Sequence, residues 1–571
     1  MNGIALGRVR LAGWAAVLGL ALAGCAGDAA PATSASEGGS GTYASKDTSS
    51  DASTGKTNGS GATDAGTTTG GGGIQTPGAG NADMGIGLKP GGAQDIAFFR
   101  QKLASAMLPK PGDMTIEGWL NEHDTVLPPA KKDRAVTLHA MAGVMAEPGA
   151  QPSAVLQIGL NSGKTLADVQ TTLSLTVVID RSGSMAGDKL AFVKAGLHAL
   201  AEQLPKGTRL GLVSFSSTVT VPFAPAVIDA SNVQALHDAI DALVADGGTN
   251  IFQALGEGSA LCQATPVGFE QKRILFLSDG LPTVGTTGFD SILGQVTEAK
   301  AGGCSVSSVG VGLDFSPSLM NAIAQKGNGT AWFLPNAQAA KEVFVQDLET
   351  MLLPVAEKLT LQFKLANGWK VAEIYGFKWV EKDGEVTITG PMEAVGPTDP
   401  GNPDPGNPED PEVGTDPVAM PTLFASKRNG LVMARLIAPA NTQPADLANL
   451  TLATVTYGYT LSKGGAAEQF SVPVQVPGLV QIPDGGLAYF ANPAVHRAWL
   501  LLGDGLSLIQ AVAQAEAGLT ADAQATLAVQ KQLHDKHMAL LAADLPVYDA
   551  SVPNLGDAAD LLAALAKVIS K

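Results

Sequence analysis

The amino-acid sequence predicts an α/β protein built around a doubly wound, mostly parallel sheet. This sheet is inserted in or flanked by a β-sandwich-like domain and is followed by a C-terminal helical segment. Between residues 172 and 353, apolar runs of strand length alternate with runs of helix length, the pattern of a parallel sheet covered by helices. After Pro354 the apolar residues recur with a period of two, which indicates strands. From about residue 486, capped apolar stretches predict helices.

The first 24 residues predict a signal peptide. Arg8 and Arg10 precede an apolar run, 11–23, that is too short to span a bilayer comfortably. Residues 22–25 resemble a bacterial lipobox, and the resemblance implies that Cys25 becomes the lipidated N-terminus. An ordinary signal peptide or an uncleaved anchor is the alternative. Ala26 follows the cysteine in place of an aspartate, which by resemblance to Gram-negative lipoproteins implies the outer membrane, on its periplasmic or its surface face.

Residues 25–92 are rich in Gly, Ser, Thr and Ala, and such a composition cannot bury enough apolar surface to offset the entropy lost on ordering. We therefore predict a disordered tether with a root-mean-square reach of roughly 45 Å. The segment 93–171 predicts two helical stretches, near 96–107 and 115–122, and then strands near 135–138 and 154–158.

The run Leu173–Asp180 predicts the central strand, because it is continuously apolar or β-branched and ends in a carboxylate. The carboxyl end of such a strand, before a glycine turn and a helix, is where open α/β sheets bind ligands. Asp180, Ser182 and Ser184 alternate along the turn and offer one carboxylate and two hydroxyls. These hard oxygens form a partial shell for Mg²⁺, which keeps several waters and needs few carboxylates.

Two more polar side chains follow on other predicted loops. Thr249 comes after two glycines and before a helix, and Asp279 ends a second apolar strand. The five residues Asp180, Ser182, Ser184, Thr249 and Asp279 resemble the metal-ion-dependent adhesion site of the von Willebrand factor type A family, which includes integrin I domains. The resemblance implies that they bind Mg²⁺ or Mn²⁺ and that an acidic side chain of a protein partner fills an open coordination position. The alternative is that Asp180 and the serines merely cap a helix.

Caps and periodicity define the remaining elements of the segment 172–353, whose length suits one domain. The predicted strands are Leu173–Asp180, Arg209–Phe215, 218–222, 273–278, 305–310 and 330–334. The predicted helices are Asp188–Gln203, 231–244, Ile251–Gln263, 290–301, 316–325 and 337–353. Only two residues separate the second strand from the third, so we expect the third to be an antiparallel edge strand.

Residues 354–485 predict a β-rich domain interrupted at 395–417 by a disordered acidic loop rich in Pro and Gly. The predicted strands before residue 172 and after residue 354 are each too few or too open to close a sheet alone. We therefore expect one β-rich domain into which the α/β unit is inserted.

Residues 486–571 predict three helices. His534 and His537 lie one turn apart in the second of them. A zinc-binding helix needs histidines at i and i+4 with a glutamate, so this pair is predicted to lie on a solvated face.

Composition limits the class of partner and the compartment. The net charge of −17 argues against a nucleic acid or an anionic surface. The chain has three cysteines, and if Cys25 carries lipid, Cys262 and Cys304 remain in an oxidising compartment. Both lie at the end of the predicted sheet opposite the metal loops. A disulfide is geometrically plausible, and two buried free thiols are the alternative.

Three classes of function follow. The resemblance implies a membrane-anchored adhesion or scaffold protein that binds another protein through the metal. A hydrolase using Ser184 or a metal-bound water is disfavoured. No G-x-S-x-G elbow surrounds Ser184, and no histidine is near it in sequence. A metal site of hydroxyls and few carboxylates also activates water more weakly than a zinc site does. We expect no enzymatic activity. The third class is a structural envelope protein whose metal only stabilises the fold.

Overall fold

The computed structural model describes residues between 86 and 571. The larger stretches left out are 91–95, 147–152, 337–343, 345–353, 392–417, 477–488 and 545–553, and shorter ones are missing elsewhere. The predicted signal peptide with Cys25, most of the tether and the acidic loop lie outside the described residues. So does the predicted helix 337–353, apart from Phe344.

The first described elements are β1 (Ile86–Pro90), α1 (Ala97–Ala104), α2 (Ile116–Glu122), β2 (Thr137–Ala146) and β3 (Ser153–Ser162). The prediction that the disordered tether continues to residue 92 is wrong at its end. β1 pairs antiparallel with β3, and Leu88 is fully buried. The sequence does not indicate this strand because glycine and proline have low strand propensity. Pairing with its neighbours in the sheet holds β1 in place.

The α/β unit comes next. Its elements are β4 (Leu173–Asp180), α3 (Asp188–Gln203), β5 (Arg209–Phe215), β6 (Val219–Val227), α4 (Val233–Asp241), α5 (Ile251–Gln263), β7 (Gln271–Ser278), α6 (Phe289–Ala301), β8 (Ser305–Val311), α7 (Pro317–Lys326) and β9 (Asn328–Leu334). The six strands form a sheet in the order β6-β5-β4-β7-β8-β9. All neighbours run parallel except β6, which is antiparallel to β5. The predicted fold class, including the antiparallel edge strand, is confirmed.

Helices cover both faces of this sheet, so its central strand is buried throughout. All eight residues of β4 are buried. Val177 and Ile179 lie in one apolar core with residues of α3 and α4, while Val178 lies in a second core with residues of α5 and α6. The polar end of β4 is therefore held by a fully packed strand.

The antiparallel domain is built from strands on both sides of the α/β unit. The later strands are β10 (Pro354–Leu365), β11 (Lys370–Tyr375), β12 (Phe377–Lys382), β13 (Glu385–Pro391), β14 (Val418–Ser426), β15 (Gly430–Ile437), β16 (Thr451–Leu461), β17 (Ala467–Gln475) and β18 (Tyr489–Phe490). They join β1, β2 and β3 in one branched sheet of 12 strands. β15 pairs with β3 from Gly430↔Leu160 to Ile437↔Ser153, and β14 pairs with β1. The α/β unit is thus inserted into this sheet, as the sequence predicts.

Three helices end the chain: α8 (Pro493–Glu516), α9 (Thr520–Asp544) and α10 (Asn554–Ile569). Asn492 caps α8 by accepting hydrogen bonds from two backbone N–H groups of its first turn. By length and composition α8 could cross a membrane, but most of it is buried against the rest of the protein, as is usual for a core helix.

The prediction that His534 and His537 face solvent is wrong, because both are buried between α8 and α9. His534 Nδ1 lies 2.8 Å from Asp504 Oδ2, and His537 Nδ1 lies 2.7 Å from His496 Nε2. Gln530 Nε2 donates to Asp504 Oδ1 at 2.8 Å. Burial lowers the pKa of His537 to about 4, which keeps the ring neutral at ordinary pH. The polar partners stand on the neighbouring helix α8, which spacing within α9 cannot reveal.

Cys262 and Cys304, for which the sequence left two alternatives, form a disulfide with a Cα–Cα distance of 6.3 Å. Both are fully buried. Cys262 lies in the last turn of α5 and Cys304 directly precedes β8, so the bridge fastens a helix to the amino end of a strand.

Candidate metal centre

The turn that follows β4 has a defined shape. Residues Gly183–Met185 form a single 3₁₀ turn, and the Met185 side chain is fully buried in the apolar core. Gly187 has a φ of +79°, a conformation that non-glycine residues rarely adopt, and α3 begins directly after it. The buried methionine and this glycine confine Ser182 and Ser184 to a short loop at the carboxyl end of β4.

Asp180 is a fully buried carboxylate. The Ser182 backbone N–H donates to its Oδ1 at 2.7 Å, and the Ser278 hydroxyl donates to its Oδ2 at 2.6 Å. Burial raises the pKa of Asp180 to about 6, these hydrogen bonds oppose the rise, and the negative charge of Asp279 adds to it. Because the hydrogen-bond donors to Asp180 are neutral, a cation placed beside it would offset its desolvation.

Asp279 follows β7 and connects the two serines to a lysine. The Ser184 hydroxyl donates to Asp279 Oδ1 at 2.8 Å, and the Ser182 and Ser184 hydroxyl oxygens are 3.1 Å apart. Lys189 Nζ donates to Asp279 Oδ2 at 2.7 Å. Hydrogen bonds therefore connect Asp180, Ser182, Ser184 and Asp279, four of the five predicted site residues.

Thr249, the fifth, lies on a loop that is fastened to both neighbouring loops by backbone groups. Gly183 N donates to Gly247 O at 3.0 Å, which joins the loop to the turn after β4. Thr249 N donates to the Thr283 hydroxyl at 2.8 Å, and Thr283 N donates to Thr249 O at 2.9 Å. The three loops at this edge of the sheet thus form one hydrogen-bonded assembly, and Thr249 is buried within it.

The sequence alone does not indicate four further residues of this assembly. Ser278 comes directly before Asp279 and holds Asp180, and Lys189 is in the first turn of α3. Arg181 and Asp246 form an ion pair at the rim; hydrogen bonding from Ser216, followed by the charge of Arg181, lowers the pKa of Asp246. Proximity to the motif is the available signal for Ser278 and Lys189, whereas the Arg181–Asp246 pair joins residues 65 positions apart and has no local signal.

The donor set suits a hard divalent cation. It consists of two buried carboxylates and the hydroxyls of serines and a threonine, and oxygen ligands with few carboxylates are typical of Mg²⁺ and Mn²⁺. Across the described residues, no group of three or more His, Cys, Asp or Glu side chains is arranged to hold a metal, so a zinc-type site is not found there.

Comparison with known proteins identifies the α/β unit. Residues 174–346 match the family model described as the von Willebrand factor type A domain, so the chain contains a domain of this family. The chain is 30% identical over 203 residues to the uncharacterized protein YfbK of Escherichia coli K12, a match that covers 34% of each protein. It is 28% identical over 233 residues to human inter-alpha-trypsin inhibitor heavy chain H4, covering 39% of this chain and 25% of the relative. The chain thus spans about a third or less of these two relatives.

Among solved structures, the chain is similar to a von Willebrand factor type A protein from Catenulispora acidiphila. The sequence identity is 15% and the TM-score is 0.45, over 75% of this chain and 96% of that one.

Proposed function

We propose that this protein is a lipid-anchored protein of the cell envelope that binds a protein partner through a divalent cation at the type A domain. The observation that carries the proposal is the hydrogen-bonded cluster of Asp180, Ser182, Ser184 and Asp279 at the carboxyl edge of the sheet. The loop bearing Thr249 is fastened to the same assembly. All five oxygen-bearing residues of the motif are therefore present on three adjoining loops.

Each group has a separate task in this proposal. Asp180 would supply the anionic anchor, held in place by Ser182 N and Ser278. The hydroxyls of Ser182, Ser184 and Thr249 would supply neutral oxygens. Bound Mg²⁺ or Mn²⁺ would supply an open coordination position for an acidic side chain of the partner.

Binding suits this site better than catalysis. The Ser184 hydroxyl bonds Ser182 and Asp279, and none of the seven histidines, all of which lie in the described part of the chain, is among its hydrogen-bond partners. Without such a base a serine hydroxyl is a weak nucleophile. The loops are also joined directly by backbone hydrogen bonds, which favours binding over a purely structural metal.

Membrane attachment rests on the lipobox-like residues 22–25, with outer-membrane placement inferred from Ala26. Cys25→Ser should leave the protein unprocessed and unlabelled by a palmitate analogue in growing cells. Ser34→Ala, in the tether, is the matched control and should label normally. Normal acylation of the Cys25 variant would contradict lipid anchoring.

The test of partner binding uses the full-length protein solubilised in detergent. Envelope proteins retained by the immobilised wild type in Mg²⁺ should be lost with a chelator, and Asp180→Ala should fail to retain them in Mg²⁺. Retention unaffected by either change would contradict a metal-dependent binding site.

A further inference from the structure

Lys189 is a cation built into the candidate metal centre. Its Nζ lies 2.7 Å from Asp279 Oδ2; the Asp279 side chain is fully buried, and that of Lys189 is 20% exposed. The lysine stem also lies against Gly312, where an added Cβ would be 2.7 Å from Lys189 Cε. The close approach of the stem to this glycine helps to direct the ammonium group toward Asp279.

We propose that Lys189 weakens the binding of the divalent cation to the centre. By the same charge it strengthens the binding of an external carboxylate to the cation-loaded site. This inference rests on the proposed function, because it takes the cation to bind at Asp180 and the neighbouring hydroxyls.

The argument is one of charge. Asp180 and Asp279 carry two negative charges when ionised, Lys189 carries one positive charge, and the hydroxyls are neutral. A divalent cation brings this group to a net charge of +1, whereas without Lys189 it would be neutral. Arg181 adds little to this balance because it is paired with Asp246. Because Asp180 and Asp279 are buried, one unit of charge beside them has a large effect on the next ion that binds.

Hydrogen bonding acts in the same direction as charge. Each carboxylate oxygen of Asp279 already accepts a bond, Oδ1 from Ser184 and Oδ2 from Lys189. Both bonds reduce the electron density that Asp279 can offer a cation. A cation that receives less from the protein attracts an oxygen of an external carboxylate more strongly.

The experiment measures Mn²⁺ affinity by calorimetry on the full-length protein in detergent. Lys189→Met should bind Mn²⁺ roughly tenfold more tightly than wild type, and Lys189→Arg should stay close to wild type. Lys194→Met is the matched control: it removes one positive charge from the same helix, roughly 140° around its axis, where Lys194 Nζ donates to Asp241 O at 2.9 Å. Its Mn²⁺ affinity should be unchanged.

A second readout uses acetate as a simple carboxylate. Acetate that displaces water from bound Mn²⁺ lowers the relaxation rate of water protons, and the half-effect concentration should be roughly tenfold higher in Lys189→Met. Circular dichroism verifies folding, and Lys189→Gln replaces the methionine variant if that one is unfolded. Equal Mn²⁺ affinity in folded wild type and neutral variants, or an unchanged acetate response, would overturn the role of Lys189. Failure of wild type to bind Mn²⁺ more tightly than Asp180→Ala would instead overturn the proposed function itself.

Discussion

At the level of single residues, the metal-binding motif can be recognised in the sequence because its carboxylates lie at the ends of predicted strands. Asp180 and Asp279 each follow an apolar run, and parallel strands bring their carboxyl ends to one edge. Lys189 was not predicted as part of the centre, because a lysine in the first turn of a helix ordinarily faces solvent. Only the packed structure shows that its ammonium group reaches Asp279.

Glu117, far from the centre in sequence, gives a prediction about pH. Burial raises the pKa of Glu117 to about 7 from an ordinary value of 4.5, although hydrogen bonds oppose the rise. The native state therefore holds the proton more tightly than the unfolded state, and stability should fall as the pH rises from about 4.5 to about 7. Glu117→Gln removes this penalty, so the variant should gain up to about 3 kcal/mol over wild type at high pH and nothing at low pH.

Urea unfolding at pH 4 and pH 8 measures this difference. Glu516→Gln, at the last residue of α8, is the control and should shift stability little at either pH. A stability difference between Glu117→Gln and wild type that is the same at both pH values would contradict the buried, protonated carboxyl.

Among the secondary-structure elements, the strand that the sequence does not predict is held in place by its neighbours in the sheet. β1 contains two residues with poor strand propensity, Gly87 and Pro90, yet it lies between β3 and β14. The elements predicted well, such as β4 and α3, combine continuous apolar packing with clear ends.

The contact between α8 and α9 gives a second prediction. Asp504 is buried and holds His534 and Gln530, so Asp504→Ala should leave two buried polar side chains without this partner and destabilise the protein by about 3–5 kcal/mol. Asp535→Ala removes the exposed ion pair between Asp535 and Lys531, both on α9, and should change the free energy of unfolding by less than about 1 kcal/mol. Thermal or urea unfolding compares the two. Equal effects would contradict the buried network.

The disulfide gives a third prediction. The bridge joins residues 42 positions apart, and a closed loop of this size stabilises the folded state by roughly 3–4 kcal/mol through the unfolded chain. Cys262→Ala with Cys304→Ala should lower the unfolding free energy by about this amount. Alkylation of the unreduced, denatured wild-type protein should label neither cysteine. Labelling of both would rule out the bridge.

At the level of the whole molecule, the six-stranded sheet of the α/β unit is inserted between two parts of the 12-stranded antiparallel sheet. β14 pairs with β1 and β10, and β15 pairs with β3 and β11. A fragment of residues 355–480 lacks β1 and β3, so β14 and β15 each lose one of their two neighbouring strands. This fragment should show no cooperative unfolding transition, in contrast to the full chain. A sharp transition with native-like heat uptake would contradict the shared sheet.

The insertion could be predicted because the strands on either side of the α/β unit were incomplete on their own. The register of the paired strands could not be predicted, since the pairing of β3 with β15 joins residues about 270 positions apart. The histidines of α9 were misplaced for the same reason: their environment is supplied by another helix. Distant packing therefore limits what the sequence shows of both the fold and the centre.

The proposed function requires that the loops at the carboxyl edge of the type A sheet bind a divalent cation through Asp180. Calorimetric titration of Mn²⁺ into chelator-treated wild type and Asp180→Ala, with circular dichroism on both, measures this binding. We expect saturable binding of one Mn²⁺ per chain in the wild type and none in the variant, with the spectrum retained because the turn lies at the end of a fully packed strand. Equal Mn²⁺ affinity in the two folded proteins would contradict the assignment of Asp180 to the metal centre.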